Sequence, residues 1–132
     1  MFSKRTALAA AWSAAVLASA SAAAAPDALA AMPKGDVVRG AQLYEARCSA
    51  CHSVDENRVG PRHKKVVGRK AGSVRGFEYS QALAKARFVW TQPLLERWLT
   101  DPEALVPGQK MGYRLEQAKD RQDVIAYLAT LK

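Results

Sequence analysis

The chain has 132 residues, two cysteines, a modest 8% of aromatic residues and a formal net charge of +8. That length excludes several domains and sits near the small end of what buries a self-sufficient core. Nucleic acid is the first thought for so basic a chain, but the sequence holds no nucleic-acid-binding motif, and charge of this size bears on partners and encounter rates rather than fold.

Lys4 and Arg5 precede an uncharged, alanine-rich run at 6–25 that ends in Ala22-Ala23-Ala24. A basic start, an apolar stretch and small residues at its end predict a secretory signal peptide at 1–24, cleaved after Ala24, and hence export to the periplasm. The alternative is an uncleaved anchor, since the run approaches the ~20 residues that span a bilayer. It is mostly Ala and Ser, however, and no stable membrane insertion is expected after cleavage. Removing Lys4 and Arg5 leaves 18 positive and 12 negative side chains, still +6.

Residues 25–35, with Pro26, Pro33 and Gly35, read as a flexible leader, and the folded domain is placed at 36–132. Asp36 stands where an N-cap belongs, ahead of Val37-Val38-Arg39-Gly40-Ala41-Gln42-Leu43-Tyr44. Gly40 and Tyr44 share a face of that helix. A glycine inside a helix costs about 1 kcal/mol against alanine, so a second helix is expected to cross close to Gly40.

The helix leads into Cys48-Ser49-Ala50-Cys51-His52. Cys-x-x-Cys-His is the attachment signature of c-type haem: two thiols can add to two porphyrin vinyl groups, and the following imidazole can bind the iron. A disulfide between the cysteines would close a very small loop and stabilise little. Thioredoxin-like use calls for a preceding strand, and none is visible. A zinc site needs four ligands, for which the chain offers only Cys48, Cys51, His52 and His63.

Further on, Ser80 starts a short helix through Lys85. Thr91 as N-cap and Pro93 in the first turn open another, which Pro102 closes, with Leu94, Leu95, Trp98 and Leu99 at helical spacing. Asp120 is the expected cap of the last helix, whose Val124, Ile125, Leu128 and Leu131 form one apolar face, with Tyr127 free to pack on Tyr44. No stretch alternates over strand length. The prediction is a small all-α fold with crossed N- and C-terminal helices, two further short helices, and long loops at 53–76 and 102–115. Loops of that length need a reason, and wrapping the two faces of a haem supplies one.

The second loop contains Val106-Pro107-Gly108-Gln109-Lys110-Met111-Gly112-Tyr113. Gly40 and Tyr44, Cys48-x-x-Cys51-His52, Gly60-Pro61, Gly68-Arg69, Trp90, Pro107-Gly108-x-Lys110-Met111 and Ile125-Ala126-Tyr127-Leu128 resemble, in order and spacing, the class I or mitochondrial-type cytochromes c. The resemblance covers residues 35–132. It implies the class I cytochrome c fold and one covalent haem c, attached at Cys48 and Cys51, with His52 and Met111 as axial iron ligands. A neutral imidazole and thioether raise the potential and close the iron to substrate, which suits a carrier. The resemblance also implies that Pro61 accepts the second imidazole N–H of His52 and that Arg69, Tyr79 and Trp90 serve the haem propionates. Tyr113 is then the aromatic at the exposed haem edge. Plain aromatic core is the other reading of Tyr79 and Trp90.

The function so implied is a monomeric periplasmic electron carrier without catalytic residues, passing one electron between redox partner proteins with acidic docking surfaces. These would be a dehydrogenase, a cytochrome complex or a terminal oxidase or reductase. The alternative is a haem enzyme, such as a small peroxidase, or a gas-binding protein with a labile sixth ligand. The first loop departs from the family pattern: His63 stands for an apolar residue and Lys65 for a glycine. If His63 titrates near neutrality, the potential should fall across roughly pH 5 to 8; an exposed loop histidine is the plainer reading. Arg58, Arg62, Lys64, Lys65, Arg69, Lys70 and Arg75, with Arg47, are expected to form one basic cluster that steers docking.

Overall fold

Among the residues described by the structure, a computed structural model covering 33–132, the chain forms five helices. They are α1 (Val37–Arg47), α2 (Gln81–Ala84), α3 (Gln92–Thr100), α4 (Pro102–Leu105) and α5 (Ala118–Leu128). The segment at 1–24 assigned to a signal peptide, and most of the 25–35 leader, lie outside the described residues. Extended pairing among those residues is limited to one antiparallel bridge, Lys70 with Val89. None of their helices is long and apolar enough to cross a membrane.

Local chemistry sets most boundaries. Asp36 caps α1, its carboxylate accepting the N–H groups of Val38 and Arg39 at 2.9 and 3.0 Å. Ser80 caps α2 through Leu83 N–H and Thr91 caps α3 through Leu94 N–H. Two expectations need correction. Pro102 does not simply end α3: Asp101 accepts from the N–H groups of Glu103 and Ala104, so Pro102 opens α4 and the short helices number three. Asp120 is not the cap of α5, which begins at Ala118 after an uncapping Gln117. Asp120 instead lies in the first turn and pairs with Arg39 of α1.

α1 and α5 pack on each other more extensively than any other pair of helices. Gly40 is the reason they can. A Cβ there would run into the backbone carbonyl of Asp123, so only a hydrogen lets the two helices approach so closely. One turn on, the rings of Tyr44 and Tyr127 meet with centroids 5.2 Å apart. α5 presents Val124, Ile125 and Leu128 to the interior, and α3 adds Leu95, Trp98 and Leu99, all buried. Each such side chain stabilises the fold by roughly 1.5–3 kcal/mol through area removed from water. α3 is tied to α5 by Arg121, whose Nε donates to Glu96 at 2.6 Å and whose Nη1 donates to the carbonyls of Leu115 and Glu116.

Candidate functional site

A cavity of about 840 Å3 opens inside this frame, within the ~300–1,000 Å3 typical of cofactor sites. Cys48, Cys51 and His52 line it together with Met111 from the second loop, while Leu95 and Trp98 of α3 and Val124 and Leu128 of α5 form an apolar wall. The motif reaches the cavity because α1 ends in a tight turn. Cys48 N–H donates to Tyr44 O, and the N–H groups of Cys51 and His52 both donate back to Cys48 O. The thiols are not joined. Burial, reinforced by Cys51, pushes the Cys48 thiol up to about 11, opposite to the activated thiolate a disulfide exchanger requires.

His52 is fixed on one side by Gly60 and Pro61. Its Nδ1–H donates to Pro61 O at 2.8 Å, which leaves Nε2 with the lone pair. Gly60 lies so near the ring that a Cβ would overlap it. Burial lowers the imidazole's proton affinity and outweighs the Pro61 bond, so His52 is a neutral donor. An imidazole with its tautomer set, a thioether, and two thiols on one turn, all around an apolar cavity, fit a covalently attached haem.

The other face of His52 is covered by His63. The two imidazoles stack with centroids 4.0 Å apart and planes 19° from parallel. His63 Nδ1 shares a hydrogen bond of 3.1 Å with the Tyr44 hydroxyl. His63 is therefore no exposed loop residue. Nor does it titrate near neutrality as expected: burial, with His52 and Arg69 beside it, holds its proton affinity well below the ordinary histidine value. Lys65 adopts a left-handed backbone, φ 54°, so the loop keeps a glycine's conformation where a lysine stands.

Met111 is half-buried on the cavity wall. Its N–H donates to Gln109 Oε1. Gln109 Nε2 in turn donates to Glu103 Oε2 at 3.2 Å, and Gly108 N–H donates to Glu103 Oε1 at 2.8 Å. One carboxylate on α4 thus braces the turn that carries Met111, a device the sequence reading missed.

Arg69, Tyr79 and Trp90 also line the cavity, as do Pro61 and, at its mouth, the exposed Tyr113. Arg69 spends two donors on the first loop, reaching Lys64 O at 2.8 Å and Arg62 O at 2.9 Å. The Tyr79 hydroxyl accepts Val74 N–H, and Trp90 packs edge-on against Trp98 at 5.3 Å. Trp98 and Tyr44 also face the cavity, and their helical spacing gives no sign of it. The expected basic cluster divides. Arg47 and Arg58 line the cavity with Lys110, whereas Arg62, Lys64, Lys65 and Arg75 line a separate groove beside Asp55 and Lys132. Only Arg69 borders both, and Lys70 lines neither, lying instead in the bridge to Val89.

Residues 37–132 match the family model described as cytochrome c. Cytochrome c2 of Rhodopila globiformis is 43% identical over 103 residues, covering 76% of this chain and 97% of that protein. Cytochrome c of Gibberella zeae is 41% identical over 101 residues, covering 74% and 95%. Among solved structures, cytochrome cH from Methylobacterium extorquens superposes with a TM-score of 0.69 at 44% identity, covering 73% of this chain and 99% of that one.

Proposed function

The chain belongs to the cytochrome c family of haem-based electron carriers, and on that premise we propose that it is a monomeric periplasmic one-electron shuttle using a haem c held by Cys48 and Cys51 and ligated by His52 and Met111. The observation that carries this reading is that His52, its Nδ1 committed to Pro61, lines the same cavity as Met111. Bound there, a haem supplies a ferric–ferrous couple. Thioether bonds from the two cysteines would retain it, and His52 and Met111 would hold the iron, which would leave no position for a substrate. The sequence contains two histidines, and His63 stands against His52, so no imidazole is left to act as the acid–base group of a peroxidase.

Arg69, Tyr79 and Trp90 supply donors for the propionates, which would be costly to bury without partners. Tyr113 marks the edge through which the electron passes. Arg47, Arg58 and Lys110 make the rim complementary to an acidic surface on the redox partner. Export rests on the basic, then apolar, start of the sequence.

The test is an optical spectrum of the ferric protein. Wild type should show the weak far-red band of sulfur–iron coordination, and Met111→Ala should lose it and bind carbon monoxide when reduced. A band that survives in Met111→Ala, or a five-coordinate wild type, overturns the ligand assignment. For the compartment, amino-terminal sequencing of protein from the periplasmic fraction should begin at Ala25; full-length protein confined to the cytoplasm overturns export.

A further inference from the structure

The imidazole of His52 has one hydrogen bond to the protein, through Nδ1 to Pro61 O. A single bond fixes the tautomer but leaves the ring able to tilt about it. Gly60 packs against the ring on one side, and on the other His63 meets it face to face rather than edge-on. His63 is itself held in three ways. Its backbone N–H donates to Ser53 O at 2.9 Å, next to His52 in the chain. Its Nδ1 is bonded to Tyr44 Oη, and its ring is met obliquely by that of Tyr44, with centroids 5.6 Å apart. Tyr44 is 4% exposed and rests on Tyr127 of α5. A continuous row of packed rings thus runs from the crossing of α1 and α5 to the ligand.

We propose that His63, locked by Tyr44, is a positioning residue for His52: it sets the plane of the iron-binding imidazole and stabilises the oxidised form of the site through its ring face. An aliphatic side chain in this place would pack, but it has neither a π face nor a nitrogen for Tyr44. The face of an aromatic ring is its electron-rich side. Oxidation adds one positive charge to the metal centre, and the ligand imidazole carries part of it. A neutral ring lying flat on that imidazole favours the charge as any π face favours a cation.

The proposal rests on the ligand assignment given above. A holoprotein without a covalent haem ligated by His52 overturns both, and the wild-type spectrum reveals that before any variant is compared. The experiment uses holoprotein carrying His63→Leu, His63→Phe or Tyr44→Phe. Two quantities are read: the oxidised-to-reduced ratio against a reference dye, and the paramagnetically shifted proton resonances of the ferric form, which report ligand-plane orientation. His63→Leu should move the ratio about three- to tenfold toward the reduced form and rearrange the shifted resonances. His63→Phe keeps the face and loses the nitrogen, so its ratio should stay near wild type while the resonances move. Tyr44→Phe should move the resonances as well. A wild-type ratio in His63→Leu overturns the electronic effect, and wild-type resonances in Tyr44→Phe overturn the lock. If His63→Leu fails to take up haem, a wild-type ratio in His63→Phe supports the electronic effect and a shift toward the reduced form overturns it.

Discussion

Asp123 of α5 accepts the backbone N–H of Asp36, at the start of α1 and 87 residues away, at 2.7 Å. Its side chain has no exposed surface, yet it stays ionised because Arg39 and Lys119 donate to its two oxygens, each at 2.5 Å. This carboxylate joins the two terminal helices beside the close approach at Gly40, and so supports the frame on which the cavity is built.

Asp123→Asn keeps the shape and removes the charge. It should destabilise the protein by about 1.5–3 kcal/mol, the range for hydrogen bonds to a charged group, measured by denaturant unfolding at neutral pH. Burial alone would raise the carboxyl's proton affinity, but the bonds from Lys119, Asp36 N–H and Arg39 outweigh it and hold the pKa at about 2, below the ordinary 3.8. A depressed carboxyl contributes stability that is complete above its unfolded value and lost as pH falls through the folded one. The wild type should therefore lose stability between about pH 4 and 2, more steeply than Asp123→Asn. Parallel acid limbs would show that Asp123 is not a source of this dependence.

Features fixed by neighbours in the chain were legible in the sequence: the caps at Asp36 and Thr91, a short helix starting at Ser80, the apolar face of α5, and the requirement for a close crossing at Gly40. Cys48, Cys51 and His52 stand out in the sequence by their spacing alone, and the structure brings all three to one cavity. What escaped depends on groups far apart in sequence. Nothing near Asp123 in the sequence points to its partner, because Arg39 lies 84 residues away. His63 read as a loop residue because neither Tyr44 nor the face of His52 is visible from residues 60–68. The basic residues of the first loop looked like one patch, since a linear run does not tell which side chains a turning loop sends to either side.

Lys65 offers a test of that loop. At φ 54° a lysine carries a cost of roughly 1–2 kcal/mol that glycine does not, set against the ~0.5–1 kcal/mol of extra unfolded-chain entropy that glycine brings. The side chain is exposed and the N–H donates to Leu131 O, so truncation loses no packing. Lys65→Gly should raise stability by up to about 1 kcal/mol, and Lys65→Val should lower it by more than that. Thermal denaturation of the two variants decides; a glycine variant less stable than wild type would mean that the lysine side chain itself matters.

Gln109 and Glu103 set how firmly Met111, the proposed iron ligand, is held. Removing the bond from Met111 N–H to Gln109 forfeits about 1 kcal/mol, or about a fivefold change in equilibrium. Gln109→Ala should therefore bind an added ligand such as imidazole about five times more tightly in the ferric state, because displacing Met111 becomes easier. Glu103→Ala, which frees Gln109 and Gly108 together, should shift affinity in the same direction. Titrations followed at the far-red band measure both. Unchanged affinity in the two variants would assign the turn's rigidity to its backbone bonds, such as that from Gln109 N–H to Val106 O.

The division of the basic residues predicts which of them speed electron transfer. Lys110 and Arg58 line the cavity, whereas Lys64 belongs to the separate groove and is already paired with Asp55 at 3.0 Å. Charges near the point of electron exit accelerate encounter with an acidic partner, and salt screens them over a Debye length of about 8 Å at 0.15 M and about 3 Å at 1 M. Lys110→Gln and Arg58→Gln should slow the second-order reaction with an acidic redox protein at low salt and flatten its dependence on ionic strength, while Lys64→Gln should do neither. At 1 M salt all three should converge on the wild-type rate. A loss for Lys64→Gln equal to that for Lys110→Gln would mean that net charge, rather than the rim, governs the encounter.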